Sequence, residues 1–160
     1  MSASGGRLGR KLEEIRAWTG SVRAHDWPAV LLLGLCRTRP AIARAVTRVT
    51  PKVRLHPITL AGLWTGIDPS QPAQFVVYDE IFIKRIYDLD RLRFEPDVVV
   101  DCGAFEGYFS LLARARFPRP PIVAFEPDAR NFEGLRAHSS QCPDLRIDIR
   151  PAGVSTNVSS

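Results

Sequence analysis

Apolar and polar positions follow two different rhythms in the C-terminal half of the chain. Val98-Val99-Val100 is a continuous β-branched run, which predicts a strand buried on both faces of a parallel sheet. From Tyr108 to Phe117 the apolar positions Phe109, Leu112, Ala113 and Phe117 fall on one face, with Arg114 and Arg116 elsewhere. That is helical spacing, and Pro118, Pro120 and Pro121 end the helix. Ile122 to Phe125 reads as a second buried strand ending on Glu126-Pro127-Asp128, and Asn131 to Ala137 opens a second helix. Cys142-Pro143-Asp144 is a turn signal, and Leu145 to Arg150 alternates as a third strand exposed on one face. Strand, turn, helix and strand make a βαβ crossover. Such a unit is right-handed and places its ligand at the carboxyl ends of the strands.

The N-terminal half is patterned differently. Met1 to Gly9 is rich in Ser and Gly, which predicts disorder. Arg10 to Trp18 reads as a short helix ended by Gly20. The apolar run Ala29 to Leu35 is too short to cross a membrane, starts too late for a signal peptide and lacks its small-residue cleavage pattern. Ala41 to Val49 follows Pro40 as an amphipathic helix. Arg44 and Arg48 share one face, and Ile42, Ala45, Val46 and Val49 the other, which packs on the domain or on a partner subunit. Lys52 to Thr59 alternates as an edge strand, and Gly66 to Pro72 reads as loop. His56, before a proline on that strand, reads as structural rather than as a general base. Phe75 to Leu89 mixes a strand-like start with a helical remainder in which Phe82, Ile86 and Tyr87 pack into the core.

Charge sharpens this division. Residues 1–54 carry 11 basic and 3 acidic side chains, and residues 55–160 carry 11 and 14. A basic segment can attract anionic partners, yet 19 arginines against 3 lysines fit a biased genome as well as a binding patch. No nucleic-acid partner is therefore expected. The three cysteines and three histidines are scattered along the chain, with no C-x-x-C. Neither a disulfide framework nor a metal site is predicted, and a reducing cytoplasm is the expected location.

The candidate chemistry lies at the strand ends. Asp101 and Glu126 are 25 positions apart, near the spacing at which nucleotide-binding folds place a ribose-binding acid. Between them, Asp101-Cys102-Gly103-Ala104-Phe105-Glu106-Gly107 is a tight glycine turn. In a dinucleotide fingerprint the second glycine lets the backbone approach a pyrophosphate. Here that position holds Phe105, which argues against a diphosphate. S-adenosylmethionine (SAM) has a ribose and an adenine but no phosphate, and its cationic amino group suits Asp101.

The segments VVVDCGAFEGYFSLLARARFP and IVAFEPDARNFEGLRAH closely resemble the FkbM family of SAM-dependent methyltransferases. The resemblance extends over residues 53–155 and is strongest from Val98 to Leu135. It implies that Asp101, Gly103 and Gly107 line the methionine end of the cofactor, with Ala104, Phe105 and Pro127 beside it, and that Glu126 holds the ribose. It also implies a lid-like segment in which Tyr87 and Asp88 reach the site, and adenine packing near residues 151–155. The implied fold is α/β, Rossmann-like, of the class I methyltransferase type. The expectation is a basic helical extension over residues 1–52 and the first part of the methyltransferase domain over 53–160, cut after the third core strand. The implied reaction is O-methylation of a sugar, polyketide or similar small-molecule hydroxyl. The catalytic base is not identified in this chain. A homo-oligomer or a partner is expected to cover the cut sheet. The alternatives are an inactive SAM- or nucleotide-binding module and a dehydrogenase half-domain, and Phe105 speaks against the latter.

Overall fold

A computed structural model describes residues 4–60, 62–140 and 147–154, with the side chains of 4–8 and 11 outside that description. Its contacts divide the chain into two units after Arg85. The expected boundary at residue 52 falls inside the first unit, because the strand that follows it pairs and packs there.

The first unit opens with helix α1, Ser4–Ser21. The helix therefore starts within the stretch read as disordered and runs through Gly20. Helices α2, Trp27–Thr38, and α3, Pro40–Val49, follow, each with a proline in its first turn, where a missing N–H costs nothing. Strand β1, Val53–Leu55, pairs antiparallel with β2, Thr65–Ile67. Gly66 thus belongs to a strand, not to the expected loop. A Cβ at Gly66 would sit 2.9 Å from the Lys52 side chain, so a larger residue there would have to displace the lysine stem. Helix α4, Pro72–Tyr78, continues into a π-helical turn at Asp79–Ile83. The strand-like start expected at Phe75 is helical, because Phe75, Tyr78 and Phe82 must all turn inward. Trp18 stacks on Tyr78 with ring centroids 5.0 Å apart, and its indole N–H donates to Asp79 Oδ1 at 3.2 Å. Leu33, Leu55, Leu60 and Ile67 complete this core.

The second unit carries a three-stranded parallel sheet in the order β3-β4-β5: Val99–Cys102, Ile122–Phe125 and Ile147–Arg150. The register pairs Asp101 with Ala124 and Ala124 with Ile149. Parallel pairing of the first two strands is as the sequence predicts. The burial of β3 is not, since Val98 is 47% and Val100 53% exposed. In the described sheet β3 is an edge strand with a neighbour on one side only. The third strand begins at Ile147; Leu145, Arg146 and the turn expected at Cys142 to Asp144 lie outside the described residues, as does Ser155. Ile86 and Tyr87 are exposed rather than in the core.

Helix α5, Tyr108–Arg116, joins β3 to β4, and helix α6, Ala129–Ser139, joins β4 to β5. Arg114, expected off the apolar face of α5, is buried at 3% exposure. Its guanidinium donates to the carbonyls of Phe117 and Pro118 at 3.3 and 2.9 Å. A cation there gives donors to the carbonyls just beyond the helix end and suits the negative end of its dipole. Helix α6 starts two residues before the expected Asn131, because Asp128 caps it: Asp128 Oδ1 accepts from the N–H groups of Arg130 and Asn131. This mixed α/β unit, with its parallel sheet and helical crossovers, is compatible with a Rossmann-like fold.

Candidate functional site

The carboxyl ends of β3 and β4 lie side by side, and the loop from Gly103 to Gly107 crosses above them. Both Gly103 N–H and Ala104 N–H donate to the carbonyl of Phe125, at 2.9 and 2.8 Å. The loop is therefore pinned to the tip of the neighbouring strand. Gly103, Phe105 and Gly107 all have positive φ, at 80°, 53° and 83°. Glycine takes that conformation without penalty, whereas Phe105 pays for it.

Glu126 supplies the compensation. Its side chain is buried at 5% exposure. Oε2 accepts from Phe105 N–H at 2.7 Å, Oε1 from Asp128 N–H at 2.9 Å, and Asn131 Nδ2 lies 3.5 Å from Oε1. One carboxylate thus ties the loop after β3 to the start of α6. Its N–H bonds are charge-assisted and strong for their kind. The sequence pointed to Glu126 as an acid at a strand tip; its grip on the loop was not visible there.

Asp101 is buried at 7% exposure and accepts from the hydroxyl of Ser110 at 2.6 Å. Burial pushes its carboxyl above the usual range; hydrogen bonds from Ser110 hold it partly back, and the charge of Glu126 adds to the rise. Two acids thus share one corner, and among the described residues neither makes an ion pair.

The other expected residues are placed as follows. Ala104 is buried with Ala124 and Leu135 in the packed core beneath the loop, so it supports the loop from below. Pro127 is exposed and lies near Gly153, where a Cβ would come within 3.8 Å of it. A Cβ on Gly103 would meet nothing within 4 Å, whereas one on Gly107 would lie 2.7 Å from Leu135 Cδ1. Gly103 therefore borders open space, and Gly107 permits close packing of loop against helix. The ring of Phe105 sits edge-on to Tyr108 at 6.0 Å. Tyr87 packs its ring 4.7 Å from that of Phe109, and Asp88 pairs with Arg91 at 2.8 Å. Sequence reasoning missed Glu106 and His138. Glu106 is buried against Gly134, and its carbonyl lies 2.5 Å from His138 Nδ1. Gly134 inside a helical pattern was the available signal.

Comparison with known proteins agrees with this reading of the motifs. A stretch of 68 residues, 42% of the chain, is 43% identical to the 31-O-demethyl-FK506 methyltransferase FkbM of Streptomyces tacrolimicus. The resemblance is to FkbM-like methyltransferases. Methyltransferase sdnD of Sordaria araneosa is 46% identical over 55 residues, 34% of the chain. The AMB antimetabolite synthetase AmbE of Pseudomonas aeruginosa is 50% identical over 63 residues, 39% of the chain. The chain spans only part of these relatives: the matches cover 26%, 20% and 3% of their lengths. No family model and no solved structure matches the chain. No helix among the described residues is long and apolar enough to cross a membrane.

Proposed function

We propose that the chain carries the SAM-binding half of a methyltransferase site acting on a hydroxyl of a small molecule such as a sugar or polyketide. The observation that carries this reading is the pair of buried acids, Asp101 and Glu126, at adjacent strand tips beneath the Gly103–Gly107 loop. The FkbM-like match supports the reaction class, and the hydroxyl acceptor rests on that resemblance.

The residues present fit SAM better than a dinucleotide. A pyrophosphate needs free N–H groups and positive charge. At this turn the Phe105 N–H already donates to a carboxylate, and both nearby side chains are acids. A cationic ligand would instead relieve the repulsion between Asp101 and Glu126. Gly103 leaves the side of the loop open for a ligand to pass. In this reading Asp101 faces the methionine amino group, Gly103 and Gly107 shape the passage, and Glu126 holds the loop and accepts from the ribose through its remaining lone pairs. When bound, SAM supplies an electrophilic methyl group on a sulfonium. The chain's own part is to orient that ligand and fix its charge, since a displacement of this kind depends on alignment.

Calorimetric titration of the 160-residue chain with SAM and, separately, with NAD tests the proposal. SAM should bind and NAD should not. Tight NAD binding without SAM binding would reverse the assignment.

A further inference from the structure

The three histidines look scattered in the sequence, but the fold of the first unit brings two of them together. His25 lies in the 3-10 turn Ala24–Asp26, directly before α2, and His56 lies directly after β1. The two segments are stitched by backbone: Arg23 N–H donates to the His56 carbonyl at 3.3 Å, and Val22 bridges Pro57. Between the imidazoles sits the carboxylate of Asp26, buried at 6% exposure. His56 N–H donates to Asp26 Oδ2 at 2.6 Å. That bond holds the carboxylate with both oxygens against His56 Nδ1, Oδ2 at 3.1 Å and Oδ1 at 3.2 Å, and with Oδ1 also facing His25.

Three ligand-type atoms then form a nearly equilateral triangle. His25 Nε2 to His56 Nδ1 is 3.3 Å, His56 Nδ1 to Asp26 Oδ1 is 3.2 Å, and His25 Nε2 to Asp26 Oδ1 is 3.5 Å. Tetrahedral zinc, with bonds of about 2.0–2.1 Å, demands ligand–ligand edges of about 3.4 Å. An octahedral site at about 2.1 Å, the preference of magnesium, demands about 3.0 Å. The observed edges match the tetrahedron. Two imidazoles and one carboxylate are also a donor set that zinc takes readily. The backbone bond to Oδ2 does what outer partners do in metal sites, holding a ligand in its binding orientation.

We propose that His25, Asp26 and His56 form a three-ligand zinc site that clamps the turn before α2 to the end of β1. Three protein ligands leave the fourth position for water or a small anion. The site lies wholly within residues 1–85 and is independent of the methyltransferase reading.

The test is zinc titration of the chelator-treated, full 160-residue chain by calorimetry, beside His25→Gln and His56→Gln variants. The His25 side chain is 60% exposed, so its replacement should leave the fold intact, which circular dichroism of the variant checks. One zinc per chain is expected, and loss of either ligand should weaken binding at least about 100-fold, beyond the effect of losing an outer partner. The parent chain, and not the His25→Gln variant, should also gain thermal stability on adding zinc. Cobalt bound to the parent should give the intense visible absorption of a four-coordinate ion. No zinc binding by the parent overturns the proposal. So does binding that survives the His25→Gln substitution with unchanged affinity.

Discussion

Replacing Glu126 with glutamine isolates the role of its carboxylate while keeping its size. One oxygen becomes an NH₂ group. If it takes the place of Oε2, the Phe105 N–H at 2.7 Å faces a donor. If it takes the place of Oε1, the Asp128 N–H at 2.9 Å does, along with the side chain of Asn131. Either orientation breaks one charge-assisted bond, worth about 1.5–3 kcal/mol. Phe105 is held at a φ of 53°, so letting the loop relax would return about 1 kcal/mol of that strain. The net loss should be about 0.5–2 kcal/mol. Urea unfolding followed by circular dichroism reads this globally, and hydrogen exchange of the Phe105 amide reads it locally. A local loss of that size should speed exchange by roughly 2- to 30-fold. The measurement needs no ligand, so it separates a loop-holding acid from one that serves ligand alone. Unchanged Phe105 protection, with stability within about 0.5 kcal/mol of the parent, would refute the reasoning.

Asp101→Asn removes a carboxyl whose proton affinity is raised by burial in the folded state. The folded parent holds that proton above the unfolded value of 3.8, so its stability relative to the variant should decline as pH rises from that value through the folded one. Urea midpoints at several pH values give the difference, and a flat or rising difference would contradict the assignment. Gly103→Ala and Gly107→Ala both place a side chain at positive φ, costing about 1–2 kcal/mol. Only the second also drives a Cβ to 2.7 Å from Leu135, itself 1% exposed, which should add about 1–3 kcal/mol. Gly107→Ala should therefore unfold at clearly lower urea, whereas Gly103→Ala should lose SAM affinity out of proportion to its stability. Equal stability losses would mean that Leu135 gives way freely.

Local pattern was enough for the outline of the second unit. The β-branched run at Val98, the proline stop after Phe117 and the alternation into Ile149 predict strand, helix and strand, because these signals act within a few residues of themselves. The acids at Asp101 and Glu126 were legible for the same reason: each follows directly on a short apolar run. The N-terminal half was less legible, since its signals compete. Gly20 does not stop α1, Gly66 sits in a strand, and Phe75 lies in a helix that brings both it and Tyr78 to Trp18. Burial was decided by what each side chain meets in the folded chain, whether near or far in sequence. Val100 is exposed because β3 is an edge of the described sheet, and Arg114 is buried because the carbonyls of Phe117 and Pro118 are there to receive it. The meeting of His25 with His56, across 31 positions, is of the same kind. Sequence spacing determined which residue types stood at the strand tips. Only the tertiary structure decided what each carboxylate holds, because a hydrogen bond depends on where the folded chain brings its donor.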